Sequence, residues 1–300
     1  MVSQQEERIY FVGGTGFVGK KAVEDTLDAG IKVTIYTRHP EKSNFSEHPN
    51  VTFVQGDYDN ITAFEKSIAG HTRLFLLTAT YDRVAQIKGA FARLAYAAGV
   101  KQIIDISTIT IDLSLFTYIA QSHFAGEEAI RDAKNSFFPD DQQLSFVSLR
   151  PWRFMSNNSL FYNDSITHRN IITGTADPDI PQGYISPNDI GSLAAIILRE
   201  PIEKHGDAIY PMTGQLLTAS QRAEIASKVL DRPIKYKQWS VKEQYDVLSK
   251  ALGGIHKAAY DLAQDIRPDF NHSPGLSIVL GREPETLEEW FTKNKDLFRA

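Results

Sequence analysis

The chain contains no cysteine among its 300 residues. This absence excludes disulfide bridges, thiolate nucleophiles and zinc sites built from thiolates. Long apolar runs are also missing, since no stretch approaches the roughly 20 residues of a membrane-spanning helix. Basic residues are not in excess, because 32 Lys and Arg stand against 37 Asp and Glu, for a net charge of −5. This balance argues against non-specific binding to nucleic acid.

The N-terminal residues, MVSQQEERIY, are polar and lead directly into an apolar run, so they are not predicted to be a signal peptide. A chain of this length suits one large α/β domain or two closely joined ones. We therefore expect a cytoplasmic protein with no metal and with no membrane or nucleic-acid partner.

What the chain does contain is a glycine cluster directly after an apolar run. Residues 8–19 read RIYFVGGTGFVG, which predicts a buried strand, a tight turn and the start of a helix. A side chain at Gly13 or Gly16 would obstruct a pyrophosphate lying on the backbone, and one at Gly19 would push the helix off the strand. The helix N-terminus favours an anion, so we predict a dinucleotide site rather than a plain turn. The predicted contacts are Gly13, Thr15, Gly16, Phe17 and Val18.

The first half of the chain alternates strands and helices at short spacing. Strands are predicted at 9–12, 31–36, 51–54, 74–77, 102–106 and 144–149, with helices at 20–29, 61–69, 83–98 and 122–133. Near-continuous apolar strands separated by helices of this length indicate a parallel sheet covered on both faces. Right-handed crossovers then give a doubly wound sheet, with ligands at the carboxyl ends of the strands.

The second half is less regular. Helices are predicted at 152–163, 190–199, 218–230 and 286–294, with another starting at Ser240, a strand at 208–213, and Thr218 as an N-cap. The fold class is therefore α/β, a doubly wound parallel Rossmann sheet with a smaller C-terminal α/β substrate lobe. We predict a Rossmann domain over 1–150, with 184–213 returning to it, and a substrate-binding lobe over 151–183 and 214–300.

The end of the second predicted strand indicates which dinucleotide is bound. An acidic residue at this place binds the 2′-hydroxyl of NAD, whereas a basic one accommodates the 2′-phosphate of NADP. Arg38 stands where the acid would be, and Lys42 adds a second charge. The pattern favours NADP(H), and the alternative is a solvated basic loop. Asp57, after the third strand, is placed either to bond the adenine amino group or to hold a turn.

Five segments, GGTGFVG, TRHPEK, QGDYDN, IDISTI and LRPWRFM, occur in this order along the chain. With them the chain resembles the NmrA-like branch of the atypical short-chain dehydrogenases/reductases, and ISPNDIGSLAAIIL and LGREPETLEEWFTKNKDLF extend the resemblance over nearly the whole length. The resemblance implies a Rossmann domain with a small C-terminal substrate lobe. Some members reduce quinones or other small molecules with NADPH, and others are redox-sensing regulators. Fungal relatives serve in alkaloid pathways, where reduction of an iminium carbon is one known chemistry.

The nicotinamide end of the cofactor is expected beyond the fourth, fifth and sixth strands. The strand-end residues there are candidates for cofactor binding, and simple capping of the strands is the alternative. These candidates are Thr78, Ala79, Thr80, Ser107 and Pro151.

The resemblance also implies a Tyr-x-x-x-Lys pair, but here Ser122 replaces the lysine four residues after Tyr118. Tyr118 is thus a proton donor without its usual activation, or an aromatic pocket residue. His123 and Glu127 share a helix face, and NmrA-like members often carry such a pair. The His123 imidazole either holds the cofactor or relays a proton, and the alternative is that the two residues form a surface ion pair. Asp82 suits a cationic substrate or caps a helix.

Aromatic side chains are the candidates for the wall of the substrate pocket, and they favour flat, apolar ligands. Ordinary core packing is the alternative for these residues. The aromatic candidates are Phe116, Trp152, Phe154 and Tyr184, together with Tyr118 and Tyr162, and Met155 adds an adaptable surface.

Three functions follow as hypotheses. The first is an NADP(H)-dependent oxidoreductase that reduces a small, aromatic or alkaloid-like iminium, carbonyl or quinone by hydride transfer. The second is a redox-silent NADP(H) sensor that binds a partner protein, which the missing lysine supports. The third is a cofactor-bound biosynthetic enzyme that catalyses a cyclisation without net redox change.

Overall fold

The computed structural model describes residues 7–113, 117–137, 144–264 and 273–299. The strands in these ranges are β1 (Arg8–Val12), β2 (Lys32–Thr37), β3 (Val51–Gln55), β4 (Arg73–Leu76), β5 (Gln102–Ile106), β6 (Ser145–Pro151), β7 (Arg153–Phe154), β8 (Ile171–Gly174), β9 (Gln182–Ile185), β10 (Ile209–Met212), β11 (Gln215–Leu217) and β12 (Lys235–Gln238). The α-helices are α1 (Phe17–Asp28), α2 (Thr62–Ser67), α3 (Val84–Ala97), α4 (Tyr118–Ser136), α5 (Asn157–Leu160), α6 (Asn163–Arg169), α7 (Pro187–Arg199), α8 (Ile202–His205), α9 (Ala219–Leu230), α10 (Val241–Ala251), α11 (His256–Ala263), α12 (Leu276–Leu280) and α13 (Leu287–Lys293).

The chain divides into two compact units. The first unit comprises Met1–Ile111, Ala120–Arg150 and Ile190–Tyr210. The second unit comprises Asp112–Ile119, Pro151–Asp189 and Pro211–Ala300. The chain therefore crosses from one unit to the other several times. Three segments that the sequence places in the Rossmann domain, 112–119, 184–189 and 211–213, fall in the second unit.

A seven-stranded sheet organises the first unit, in the order β10-β6-β5-β4-β1-β2-β3. The pairs β1–β2, β1–β4, β2–β3, β4–β5 and β5–β6 are all parallel. The strand order reverses between β1 and β4, and such a reversal opens a ligand crevice at the carboxyl ends of the strands. The predicted doubly wound parallel sheet is confirmed.

The core of the first unit is formed by the sheet and the helices on it. Every residue of β4 and β5 is buried, because helices cover both faces of the sheet. Aromatic rings fill the space under α2 and α3, where the ring centres of Tyr10 and Phe64 lie 5.0 Å apart and those of Phe64 and Phe91 lie 4.5 Å apart, edge to face. Burying rings in this geometry stabilises the sheet–helix packing.

The second unit contains two small sheets, β11-β9-β7 and β12-β8. Its core gathers Trp290, Phe291 and Phe298 around Met155, which is fully buried. Three of its helices begin with capping boxes at Thr218, Ser240 and Thr286, where the cap hydroxyl accepts a hydrogen bond from the third helical N–H. The predicted helix starts at these residues are confirmed.

The helix predicted at 152–163 is wrong in its first part. Residues 153–154 form β7, which pairs with Tyr184 and Ile185 of β9, and the Met155 N–H donates to the Ile185 carbonyl at 2.9 Å. Helix α5 therefore starts only at Asn157, because strand pairing between distant segments overrides the local preference. None of the described helices combines the length and the apolar character that crossing a membrane requires.

Candidate functional site

The glycine loop joins β1 to α1 in the first unit. Gly13 has φ +88°, and a Cβ there would lie 2.4 Å from the Leu77 carbonyl oxygen, while one at Gly19 would lie 2.0 Å from the Gly13 oxygen. At Gly16 a Cβ would meet no heavy atom within 4 Å. Gly13 and Gly19 are thus required by the protein's own backbone, and only the space beside Gly16 is left open. From the sequence, Gly13 is explained by the space that a ligand needs. The structure adds a second reason, because a side chain there would collide with the Leu77 carbonyl.

The start of α1 is suited to an anion. Gly16 occupies the N-cap position and supplies no side-chain hydrogen bond to the first turn, which contains no acidic residue. Among the described residues, no side chain accepts a hydrogen bond from the backbone N–H groups of this turn. The helix dipole also places partial positive charge there. Thr15 and Phe17 are exposed beside this opening, whereas Val18 is buried against the sheet.

Two cations follow β2. The Arg38 and Lys42 side chains are exposed, and no carboxylate of the described residues lies within ion-pair distance of either. Glu41, the nearest acid in sequence, instead lies 3.2 Å from His39. The Arg38 guanidinium is thus available to an outside anion such as a phosphate.

Asp57 holds a turn after β3. Its Oδ1 accepts hydrogen bonds from the backbone N–H groups of Asp59 and Asn60, both at 2.9 Å. Its carbonyl accepts the Tyr36 hydroxyl at 2.8 Å. These bonds support the interpretation of Asp57 as a turn residue. The second oxygen of its exposed carboxylate takes part in neither bond.

The segment after β4 carries the strand-end candidates Thr78, Ala79 and Thr80. Thr78 is buried and its hydroxyl has no hydrogen-bond partner among the described residues. The Ala79 N–H donates to the Tyr58 hydroxyl at 3.3 Å, and the Thr80 hydroxyl bonds to the backbone of Asp82. An orphaned buried hydroxyl at the carboxyl end of a central strand is a polar atom that a ligand would satisfy.

Asp82 does not cap α3, so the prediction that it is a helix N-cap is wrong. Arg83 occupies the cap position with φ +54° and makes no side-chain cap. Its guanidinium lies 2.9 Å from Asp59 and 3.9 Å from Asp82. A residue other than glycine in the left-handed region costs about 1 kcal/mol or more, and it marks this turn beside the predicted cofactor site as strained.

Glu127, on α4, lies at the centre of a buried polar cluster. Its oxygens accept the Ser148 hydroxyl at 2.8 Å and Arg150 through Nε at 2.9 Å and Nη2 at 2.7 Å, and Arg131 adds a bond at 2.9 Å. Burial alone would raise the pKa of Glu127, but the hydrogen bonds from Arg150 and Ser148 and the positive charge of Arg150 lower it to about 2. The interpretation of Glu127 as part of a surface ion pair is wrong, because its side chain is fully buried.

A second buried pair lies beside this cluster. Lys88 of α3 and Asp105 of β5 are fully buried, with the ammonium 2.7 Å from one carboxylate oxygen and 2.8 Å from the other. Burial raises the pKa of Asp105 to about 6 despite the opposing charge of Lys88. Gly126 makes room for Lys88, since a Cβ there would lie 3.0 Å from the lysine stem.

His123 faces the same buried region. Its Nδ1 is buried and has no hydrogen-bond partner among the described residues. Burial, with the nearby Lys88 ammonium, lowers the pKa of His123 to about 3 against the opposing charge of Glu127. The imidazole is therefore neutral at physiological pH, so it can donate or accept a hydrogen bond but does not act as a cation.

Tyr118 and Pro151 belong to the second unit. The Lys257 ammonium of α11 lies 5.5 Å from the centre of the Tyr118 ring, so a cation approaches this tyrosine from another helix although Ser122 stands at the usual lysine position. The Asp261 carboxylate accepts the Ile119 N–H at 2.9 Å and anchors this end of α4. Pro151 is buried at the end of β6.

The pocket-wall candidates separate into different environments. Phe154 and Tyr184 line a cavity of the second unit, together with Tyr162. Trp152 is buried and packs on Gly183, where a Cβ would lie 2.8 Å from its ring. Met155 belongs to the hydrophobic core, so it is a core-packing residue rather than part of a pocket wall. Phe116 lies outside the described residues.

Sequence reasoning missed Lys88, Asp105 and Arg222. Asp105 interrupts an apolar strand, QIIDI, and that interruption is the signal that would have found it, because a buried carboxylate requires a partner. Lys88 lies on the buried side of α3, and nothing in the neighbouring sequence indicates that it is buried. Arg222, on α9, is only 6% exposed, which α9's own sequence does not indicate.

Comparison with known proteins places the chain in a family. A family model described as the NmrA-like family matches residues 5–290. The chain belongs to the NmrA-like family. Prestalk A differentiation protein A of Dictyostelium discoideum is 23% identical to this NmrA-like chain over 301 residues, covering 96% of the chain and 93% of that protein.

Solved structures share the fold of this NmrA-like protein. The NADPH-dependent quinone oxidoreductase of Escherichia coli, in complex with NADPH, has a TM-score of 0.77 at 20% identity, covering 96% of this chain and 99% of that chain. NmrA, a negative transcriptional regulator in complex with NAD, has a TM-score of 0.74 at 17% identity, covering 97% of this chain and 95% of that chain. At these identities the likeness shows the fold.

Proposed function

We propose that this NmrA-like protein is an NADP(H)-dependent reductase of a small aromatic or alkaloid-like molecule that carries an iminium, carbonyl or quinone group. The observation that carries the proposal is the combination of the open space at Gly16 with the unpaired Arg38 in the first unit. The first supports a pyrophosphate at the start of α1, and the second supports a 2′-phosphate after β2. Both structural relatives were solved with a nicotinamide dinucleotide bound.

The residues of the first unit fit this cofactor. The N–H groups at the start of α1 would hold the pyrophosphate, Arg38 with Lys42 would hold the 2′-phosphate, and the orphaned Thr78 hydroxyl would bond the ribose or pyrophosphate. The cofactor, when bound, supplies a hydride to the substrate. The NADPH-dependent quinone oxidoreductase shows that this fold accommodates such chemistry.

The buried cluster restricts which side chain delivers a proton. Glu127, with its pKa lowered to about 2, is ionised near neutral pH and its oxygens accept hydrogen bonds from three partners. His123 is neutral there. We therefore assign Glu127 a positioning role between α4 and β6, and Tyr118, with Lys257 beside its ring, the role of donor where one is needed.

Cofactor preference tests the first part of the proposal. Titration of the wild type and Arg38→Ala with NADPH and NADH, followed by cofactor fluorescence, should show NADPH affinity falling about 10- to 100-fold in the variant, because charge-assisted bonds to the phosphate are lost. NADH affinity should change little. Arg169→Ala, which removes an exposed arginine of the second unit, is the matched control. Equal losses for both cofactors would remove Arg38 from the phosphate site.

Turnover tests the second part. NADPH oxidation is followed while quinones, cyclic imines and carbonyl compounds are added in separate assays. We expect oxidation with at least one class, with a product that carries a hydride from the cofactor. A protein that binds NADPH tightly and oxidises it with none of these classes is not a reductase of the proposed kind.

A redox-silent sensor is the second candidate function. The replacement of lysine by Ser122 favours it, and NmrA shows that the fold serves a transcriptional regulator. A sensor would discriminate strongly between NADP⁺ and NADPH and would bind a partner protein in only one of the two states. Pulldown in the presence of each form, compared with the turnover assay, separates the two functions.

A further inference from the structure

A cavity within the second unit combines aromatic walls with arginine side chains. Five rings line it, namely Phe154, Phe161, Tyr162, Tyr184 and Tyr236, around a partly enclosed volume of about 90 Å³. Arg153 and Arg222 line the same cavity, and none of the described residues that line it is acidic. The lining therefore combines guanidinium groups with ring faces, and this combination suits a flat anion.

Arg222 is the residue that makes this charge unusual. It is 6% exposed, and its guanidinium donates to the Tyr184 hydroxyl through Nη1 and to Asn158 Oδ1 through Nη2, both at 2.9 Å. Both partners are neutral, and no carboxylate of the described residues lies within ion-pair distance of the guanidinium. A guanidinium stays charged in proteins, and burying a charge without a counter-charge is unfavourable, so an anion bound beside Arg222 would be stabilised.

Other polar groups around the cavity are also incompletely satisfied. Arg222 Nε, Thr173 Oγ1 and Gln244 Oε1 are buried and have no hydrogen-bond partner among the described residues, and Thr173 and Gln244 are 1% and 3% exposed. Buried polar atoms without partners are rare in folded proteins. Together they offer two donors for an oxyanion, from the guanidinium and the threonine hydroxyl, and one amide oxygen that accepts a hydroxyl hydrogen.

We propose that the second unit binds a small hydroxylated aromatic carboxylate in this cavity, with the carboxylate on Arg222 and the ring against the aromatic walls. The guanidinium edge that includes Nε matches a carboxylate in two-bond geometry. The five aromatic rings that line the cavity would flank the ring of the ligand. This cavity is lined by residues of the second unit alone. Its wall includes Phe154 and Tyr184, which the sequence predicts for the substrate pocket, so the proposal names a ligand class for that pocket, and its binding test needs neither NADPH nor turnover.

Calorimetric titration of the full chain with 4-hydroxybenzoate tests this proposal. The neutral isostere 4-hydroxybenzamide and the smaller anion acetate are titrated under the same conditions at constant ionic strength. We expect 4-hydroxybenzoate to bind, acetate to bind more weakly because it lacks the ring, and the amide not to bind measurably. Equal binding of the acid and the amide, or no binding of the acid, would overturn the proposal.

Variants then test the role of Arg222. Arg222→Met removes the charge but keeps a side chain of similar length, and it should weaken 4-hydroxybenzoate binding by about 10- to 100-fold. Arg222→Lys keeps the charge but loses the planar guanidinium, so its affinity should lie between those of the wild type and Arg222→Met. Arg169→Met makes the same change at an exposed arginine outside the cavity and should bind as the wild type does. Unchanged affinity in Arg222→Met would contradict the assignment. Because the benzoate–benzamide comparison uses the wild type, the proposal stays testable even if a variant does not fold.

Discussion

Gly16 and Gly19 are three residues apart at the start of α1, yet a side chain at each would meet different surroundings. At Gly19 it would run into the backbone of Gly13, whereas at Gly16 it would enter open space. The glycine at 19 therefore serves the packing of α1 on β1, and the glycine at 16 is the one whose open space suits a ligand. This difference leads to a prediction that separates folding from binding.

Gly16→Ala should fold normally and bind NADPH more weakly. The added methyl group occupies the space proposed for the pyrophosphate, so we expect roughly a tenfold loss of affinity, or about 1.4 kcal/mol, and a change of less than about 1 kcal/mol in the free energy of unfolding. Gly275→Ala is the matched control, because Gly275 is also an N-cap glycine with negative φ and with nothing near its missing side chain. Cofactor fluorescence titration measures the first effect and urea unfolding the second. Identical NADPH affinities in the two variants would contradict the placement of the pyrophosphate.

Tyr118→Phe should affect one class of acceptor and not another. Hydride addition to a carbonyl or quinone leaves an anionic oxygen that takes up a proton, whereas addition to an iminium gives a neutral amine directly. We expect kcat for a carbonyl or quinone substrate to fall about 100-fold or more, with kcat for an iminium substrate unchanged. Steady-state assays with both acceptor types measure this difference, and a uniform loss would indicate that Tyr118 serves the structure of the site.

At the scale of elements, α4 is held to the sheet by ionic contacts rather than by apolar packing alone. Glu127 binds Arg150 and Ser148 of β6, and Gly126 lets Lys88 of α3 approach while it pairs with Asp105 of β5. Each charge in this region has a counter-charge at bonding distance. Buried pairs of this kind contribute little net stability when intact, but removing one member leaves the other buried and uncompensated.

Glu127→Gln should therefore be strongly destabilising. It removes the counter-charge of a buried arginine, so we expect a loss of about 3–5 kcal/mol in the free energy of unfolding. Glu128→Gln is the matched control one residue along, since Glu128 pairs with Arg131 at the surface, and it should change stability by about 0.5 kcal/mol or less. Urea unfolding of both variants measures the contrast, and similar values for the two would contradict a positioning role for Glu127.

For the whole molecule, the response of stability to acid depends on the groups whose pKa changes on folding, and Glu127, His123 and Asp105 are three described groups with large shifts. The pKa of Glu127 falls from 4.5 to about 2 on folding, and that of His123 falls from 6.5 to about 3, so the unfolded chain binds the extra protons and both groups weaken folding as pH falls. Asp105 has the opposite effect, because its pKa rises from 3.8 to about 6 on folding. The folded chain binds the extra proton between these pH values, so Asp105 strengthens folding as the pH falls through this range.

The sum of these effects predicts the shape of the stability profile. Between about pH 6 and pH 4.5, the lowered pKa values of His123 and His71 act against the raised pKa values of Asp105 and Asp189, so Tm should change little. Below about pH 4.5 the contribution of Glu127 is lost as well, and Tm should fall toward pH 2. Thermal unfolding followed by circular dichroism measures the profile. A Tm that rises as the pH falls from 4.5 would show that the assigned pKa shifts have the wrong sign.

Local sequence patterns determined the framework of this protein. The apolar strands, the glycine loop and the capping boxes at Thr218, Ser240 and Thr286 are properties of a few neighbouring residues, so they are visible without a structure. The parallel sheet and the resemblance to the NmrA-like family followed from the order of these local features. The predicted cofactor residues remain predictions, now with geometry that a dinucleotide fits.

Only the tertiary structure decided which side chains meet. The partners of Glu127 come from the same helix and from β6, more than 20 positions along the chain, and Lys257 approaches Tyr118 from a helix far along the sequence. Arg222 likewise meets Asn158 and Tyr184 through the folding of the second unit. Such contacts depend on how elements pack rather than on local periodicity, so the spacing of residues shows where a dinucleotide fits but not which buried charges surround it.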